Sequence, residues 1–320
     1  MKIWFYKRDA EVGDLVYCDG TYSNFINKSK TVIGVCFYID PNDKTHRLCV
    51  ALEDLLSYPW GLSYSNWSGG ITLASSPFYV VFNIPTLQDI TVGTGLINED
   101  SYRDIENGDS DGFVIPTQES ALAELCWEEL SEPLGQHQAG ERLPKGLVNT
   151  LKIINHRNFI LNDSNVNLAI PSKSESQTEL QNLYLVMQHA VSSNGDQAKY
   201  REYYYPAASQ CYSYEPKIKD GETLSGNFKA GNWFLPSAGE LARLYWCNIY
   251  NKSQQPEING IFARCIEIGI LLPFGKFWYN SSTESNLTAI WGVLFSSGLL
   301  ASIGYMYKQT DALCRAVCAF

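Results

Sequence analysis

The sequence predicts an α+β fold in which strands from the two ends of the chain pair in one sheet and helices occupy the middle. Both ends, roughly residues 13–61 and 277–320, consist of short runs of β-branched and aromatic residues separated by polar turn residues. The middle contains stretches of good helix formers with apolar residues at helical spacing. Strands that enclose helices in this way are typical of one α+β domain, which we expect to span residues 1–320.

The N-terminal third predicts a meander of three strands. These are Asp14–Cys18, Val32–Ile39 and Leu48–Leu52. Much of residues 62–145 is rich in Gly, Ser, Asn and Asp and has no regular period. We therefore expect residues 62–145 to form an irregular insertion in the domain.

Four stretches predict helices. They are Ala121–Leu130, Leu147–His156, Ser176–Ser192 and Leu241–Ile249. The last follows Ser237, and Glu240 comes three residues after that serine, which is the signature of a capping box. Residues 277–320 are again strand-like, with Gly298 and Gly304 as markers of turns or bulges.

The charge balance narrows the classes of partner. The chain has 24 basic and 34 acidic residues and a net charge of -10, which disfavours nucleic acid and anionic lipid. No stretch of eighteen uninterrupted apolar residues occurs, and residues 1–14 carry charges where a signal peptide would be apolar. We therefore expect no membrane insertion and no signal peptide.

No catalytic or metal-binding pattern stands out. The nine cysteines lack a CxxC pair and lie mostly in apolar runs, which favours buried free thiols over disulfides or a metal site. Ser282, Thr283 and Glu284 have no His or Lys nearby in sequence, so we expect their hydroxyls to make structural hydrogen bonds. Arg315 lies between apolar residues, and we expect it to pair with an acidic residue such as Glu284 or Glu240. No cofactor is expected.

Four segments of the second half carry a resemblance to a known family. They are Gly231–Leu241, Phe277–Glu284, Trp291–Gly298 and Cys314–Phe320. Their order and residues resemble the pattern W-x-L-P-[ST]-x-x-E, then S-S-T-E, then a Trp strand ending in Phe and Gly, then R-x-V of the formylglycine-enzyme-like branch of C-type lectin-like domains. That branch includes bacterial surface and fimbrial proteins and the variable proteins of diversity-generating retroelements. The resemblance covers about residues 13–61 and 146–320, and the long insertion departs from it.

The resemblance implies a C-type lectin-like fold whose residues 277–320 form a variable, ligand-facing region. In retroelement variable proteins, adenine-directed mutagenesis diversifies exposed residues of this region. Strand alternation places Trp291, Val293 and Phe295 on one face, which leaves the opposite face free to vary. The implied ligand-contacting residues are Gly292, Leu294, Leu300, Ser302, Tyr305, Tyr307, Asp311 and Ala312.

The resemblance and the exposed aromatic ending together favour a non-catalytic protein that recognises a protein or glycan receptor on a cell surface. The alternatives are a structural tip or tail component of a fimbria or phage virion, and a surface hairpin that binds nothing. A formylglycine-generating enzyme is disfavoured, because Cys314 and Cys318 would lie about 13 Å apart along one strand. We expect a phage virion protein or a cytoplasmically made, surface-displayed protein; the oligomeric state stays open.

Overall fold

The computed structural model describes residues 8–59, 126–162, 205–249, 262, 264–274, 277–284, 289–295, 302–307 and 311–320. The strands are β1 (Leu15–Tyr17), β2 (Tyr22–Ser23), β3 (Val32–Ile39), β4 (Arg47–Ala51), β5 (Leu55–Pro59), β6 (Trp127–Glu129), β7 (Arg142–Pro144), β8 (Trp233–Phe234), β9 (Trp278–Glu284), β10 (Ala289–Leu294), β11 (Ser302–Tyr307), β12 (Asp311–Cys314) and β13 (Val317–Ala319). The helices are α1 (Lys145–Asn162), α2 (Pro206–Ser213) and α3 (Ala238–Ile249).

The first sheet joins the two ends of the chain. Its strand order is β2-β1-β3-β4-β13-β8, so the last strand of the chain lies between β4 and β8. Val317 pairs with Val50 on one side and with Phe234 on the other. The predicted pairing of the two ends in one sheet is therefore present, and with it the α+β class. The three predicted N-terminal strands correspond to β1, β3 and β4.

The second sheet carries most of the predicted ligand-facing region. Its strand order is β11-β10-β9-β12-β5, so β11 and β5 are its outer strands among the residues that the structure describes. Helix α3 packs against β9 and β10 as well as β3, and α1 packs against β9. Apolar side chains from both sheets and from α3 join one buried core. Helix α2 packs against β5 of the same sheet, so all three helices contact the second sheet.

The helix predictions had mixed outcomes. Helices α1 and α3 confirm the stretches predicted from Leu147 and Leu241, while Ser176–Ser192 lies outside the described residues. The sequence did not predict α2, which is only eight residues long and begins at Pro206. Among the described residues, no helix has the length and apolar character that crossing a membrane requires.

The end of the predicted insertion is regular structure, which corrects two expectations. Residues 127–129 were predicted to end a helix, but they form β6, which pairs with β7 across the turn region 130–141. The buried side chains of Cys126 and Trp127 belong to the main core. Tertiary burial of this apolar pair overrides the local helix propensity. Residues 60–125, the greater part of the insertion, lie outside the described residues.

Candidate functional site

The predicted ligand-facing residues fall on three neighbouring parts of the second sheet. Ser302, Tyr305 and Tyr307 belong to β11, whose backbone pairs with β10 so that Ser302 is opposite Leu294 and Tyr305 is opposite Trp291. Asp311 opens β12 and pairs with Pro59 of β5. Leu300 lies outside the described residues. The predicted ligand-facing residues that the structure describes thus all belong to the second sheet, and Tyr305 and Tyr307 lie on β11.

Gly292 is buried, which corrects its assignment to the exposed face. The ring of Trp278 lies over it: a Cβ atom added at Gly292 would sit 3.1 Å from Trp278 Cε3 and 3.4 Å from the Met306 side chain. Gly304, directly opposite on β11, would place a Cβ 3.2 Å from Trp278 Cη2. Both glycines therefore leave room for the same indole ring. Gly304 lies within a strand, where the Trp278 ring comes close to its backbone, and not at the predicted turn or bulge.

Ala312 is also buried, and only 3% of its surface is exposed. It lies on β12 between β9 and β5, so neighbouring strands cover it on both sides. Its place in the predicted ligand-contacting set is therefore wrong. Leu294 is half-buried at the end of β10. The core face was predicted correctly, because Trp291, Val293 and Phe295 are all buried.

Buried hydroxyls and amides hold β9 in place under this surface. Ser281 Oγ donates to the carbonyl oxygen of Trp291, and it accepts from the Thr283 amide at 3.1 Å. Thr283 Oγ1 accepts from the amide of Ala238, the first residue of α3, at 2.8 Å. Ser282 Oγ accepts from Asn149 Nδ2 of α1 at 3.2 Å. Ser282 and Thr283 therefore connect the sheet to two helices, which confirms the predicted structural role of these hydroxyls, and Ser281 links β9 to β10.

The strand-to-helix joint before α3 is built around a buried carboxyl group. Glu240 N donates to Ser237 Oγ at 3.2 Å, and Ser237 N donates to Glu240 Oε2 at 2.7 Å, which confirms the predicted capping box. The other carboxyl oxygen accepts from the Gly146 amide at 3.1 Å, which ties the start of α1 to the same joint. Burial raises the pKa of Glu240 to about 8, although these backbone donors and Lys145 favour the ionised form.

Arg315 is fully buried and pairs with an acidic residue, as predicted, but the partner is Asp54 and not Glu284 or Glu240. Its Nε donates to Asp54 Oδ1 at 2.6 Å, and the guanidinium lies 4.0 Å from the centre of the Phe274 ring. Asp54 Oδ2 also accepts from the Tyr279 hydroxyl at 2.7 Å. This carboxylate lies in the loop after β4, so sequence proximity gave no signal for it. The three residues connect the chain's C-terminal end to both sheets.

The cysteines lie inside the fold, and burial raises the pKa of several of their thiols. All nine are free and buried, as predicted. Burial raises the pKa of Cys36 and Cys49 well above the ordinary value and that of Cys265 to about 11, so these thiols stay neutral and weakly nucleophilic. Cys314 and Cys318 were expected on one strand, but they lie on β12 and β13 in different sheets. The described part of the chain contains no group of His, Cys, Asp or Glu residues suited to a metal ion.

Trp278 is the residue near the surface that sequence reasoning missed. It is half-buried at the start of β9 and spans β10 and β11 through the two glycines. The available signal was the pair Gly292 and Gly304, each inside a strand-like run. Isolated glycines in strands mark places where another group comes close to the backbone.

Comparison with known proteins gives one distant structural similarity. No protein-family model matches the chain, and a search of curated proteins gave no significant match. Among solved structures, the chain is similar to a fimbrial protein from Bacteroides ovatus, with a TM-score of 0.41 and 15% sequence identity. The match covers 97% of this chain and 49% of that chain, so this chain spans about half of the fimbrial protein's length. A TM-score of this size does not define a shared fold.

Proposed function

We propose that this chain is a non-catalytic binding protein with a C-type lectin-like fold, and that the outer part of its second sheet contacts a protein or glycan receptor on a cell surface. The contacting residues in this proposal are Leu294, Ser302, Tyr305, Tyr307 and Asp311, together with Leu300. The observation that carries it is the position of β11 as an outer strand of a sheet whose inner strands are fixed by buried hydrogen bonds.

A rigid inner strand, β9, in the same sheet as an outer strand that carries serine and tyrosine residues, β11, suits recognition of a receptor. Tyrosine gives a large contact area and loses little conformational entropy on binding, and a fixed backbone lowers the entropic cost further. Strand β9 supplies this rigidity through Ser281, Ser282 and Thr283, none of which is exposed. Among the described residues, the backbone of β11 pairs with β10 alone, which leaves one edge of this strand for a partner.

A binding experiment with matched variants tests the proposal. We expect the purified chain to bind a subset of a glycan array or of a panel of bacterial and host cells. Replacing Tyr305 and Tyr307 together with Ser should weaken that binding at least ~10-fold, because central aromatic residues dominate binding energy. Leu272→Ser, at a side chain that is 50% exposed elsewhere, is the control and should bind normally. Equal binding by the tyrosine variant, or equal loss in the control, contradicts the proposal.

The finer part of the proposal is that a retroelement diversifies this surface. It requires a near-copy of the codons for residues 277–320 in neighbouring DNA, differing at adenines, beside a reverse transcriptase gene. Sequencing the surrounding locus tests it. A locus without these features contradicts the hypothesis of retroelement diversification. The binding proposal is then tested by the array experiment alone.

A structural role in a fimbria or a phage tail is the second candidate. Among the described residues, the outer strands are β2 and β8 in the first sheet and β11 and β5 in the second. Sheet edges are places where another chain adds a strand. Under this alternative, electron microscopy of the chain with its genomic neighbours shows ordered filaments or tails that contain it. Array binding that depends on the tyrosines, with no such assemblies, favours the receptor-binding function.

A further inference from the structure

The loop after β2 holds two apolar side chains in solvent at a fixed position. Phe25 is 68% exposed and Ile26 is 50% exposed. The buried Tyr17 fixes the loop, because its hydroxyl donates to the Phe25 carbonyl oxygen at 2.5 Å and accepts from the Asn27 amide at 2.9 Å. The Phe25 amide donates to Ser23 Oγ at 3.0 Å. We call Phe25 and Ile26 the apolar prong.

A pocket of about 160 Å³ opens beside the prong. Its wall combines apolar side chains with two acidic residues, one of them Asp14, and one basic residue. These include Val12, Leu15, Ile26, Ile268, Glu11 and Arg264. Ile268 is itself 43% exposed. Prong and pocket therefore form one continuous surface at the β2 end of the first sheet, in a different sheet from β11.

The size of the pocket decides what kind of group it takes. Pockets for drug-sized ligands have volumes of roughly 300–1,000 Å³. A cavity of about 150 Å³ holds one benzene molecule. A pocket of about 160 Å³ therefore matches a single aromatic side chain and is too small for a larger free ligand.

We propose that two copies of this chain associate through this surface, with Phe25 of each copy in the pocket of the other. Phe25 points into solvent in the single chain, while the pocket that matches its ring lies directly beside it. A two-fold axis through such a surface makes two identical contacts at once, which is the usual geometry of homodimers. The loop is already held in place, so little conformational entropy is lost on association.

The charge of the chain predicts how association responds to salt. Each copy carries a net charge of -10, so the two copies repel one another at low ionic strength. Salt screens this repulsion and does not weaken an apolar contact. We expect dimerisation to strengthen as salt is raised, whereas a dimer held by ion pairs would weaken.

Sedimentation equilibrium over a concentration series into the high-micromolar range tests the proposal. We expect a reversible monomer–dimer equilibrium whose Kd rises at least ~10-fold in Phe25→Ser. Phe277→Ser is the matched control, because Phe277 is 65% exposed on another surface, and its Kd should stay that of the unchanged chain. Thermal unfolding of each variant checks that both remain folded.

Mixing two defective variants tests whether the prong enters the pocket. Ile268→Trp fills the pocket and keeps the prong, whereas Phe25→Ser removes the prong and keeps the pocket. Each variant alone should be mainly monomeric, and an equimolar mixture should form a heterodimer with one of the two contacts restored. A monomer at every concentration, an equal loss in Phe277→Ser, or a mixture no stronger than its components overturns the proposal.

Discussion

Arg315 is a buried cation whose charge is balanced by a carboxylate far away in the sequence. Asp54 accepts from Arg315 Nε and from the Tyr279 hydroxyl, so one carboxylate bonds to both a guanidinium and a phenol. Removing one partner of a buried ion pair leaves the other without compensation. The stability of the second sheet therefore depends on a loop residue of the first.

We expect Asp54→Ala to lower the free energy of unfolding by about 3–5 kcal/mol, because it leaves Arg315 buried without its carboxylate. Urea denaturation followed by circular dichroism measures the change. Asp43→Ala, at an exposed carboxylate that contacts only its own turn and His46, is the control and should change stability by less than ~1 kcal/mol. Equal stability of the two variants would show that the Asp54–Arg315 pair contributes nothing.

Glu240 gives the domain a pH dependence whose sign follows from its raised pKa. The folded pKa of about 8 is above the ordinary value of 4.5, so between these pH values the folded chain holds a proton that the unfolded chain has lost. The free energy of unfolding therefore falls as pH rises through this window, by up to about 1.4 kcal/mol per pH unit.

Glu240→Gln removes the titrating group, so its stability should lack this slope. It should also be less stable at low pH, because an amide nitrogen cannot accept the hydrogen bond from Gly146 or Ser237 that a carboxyl oxygen accepts. Denaturation of both proteins at about pH 5 and about pH 7.5 measures the difference in slope. Parallel slopes would mean that Glu240 has an ordinary pKa in the folded chain.

At the scale of elements, the second sheet depends on one ring that bridges three strands. Trp278 belongs to β9 and lies over Gly292 of β10 and Gly304 of β11. The absence of side chains at these two positions lets the indole come close to the backbone of both strands. A varied residue at Gly292 would therefore displace Trp278, which is why we exclude this position from the binding surface.

We expect Gly304→Val to destabilise the fold by about 1–3 kcal/mol, because its Cβ would lie 3.2 Å from Trp278 Cη2 and its methyl groups would approach more closely. In a Trp278→Ala background the same substitution should cost at least ~1 kcal/mol less, as a double-mutant cycle measures. Gly226→Val, where an added Cβ meets no atom within 4 Å, is the control. Additive effects of the Gly304 and Trp278 changes would contradict this packing.

At the scale of the whole molecule, the chain has two surfaces with different proposed partners. The edge of the second sheet carries the tyrosines that we assign to a receptor, and the β2 end of the first sheet carries the apolar prong that we assign to a second copy. The two sheets share one core. A dimer formed through the first sheet leaves β11 of each copy outside that contact surface, so two receptor-binding edges act together and gain avidity.

The sequence by itself determined the α+β class, the N-terminal strands, helices α1 and α3, the capping box at Ser237 and Glu240, and the buried thiols. These features depend on short-range periodicity, caps and apolar runs, which act within a few residues. Tertiary structure alone decided the pairing of Arg315 with Asp54, the burial of Gly292 and Ala312, and the hairpin β6–β7. Each of these depends on which distant groups meet in the folded chain, and burial against such partners outweighs local propensity.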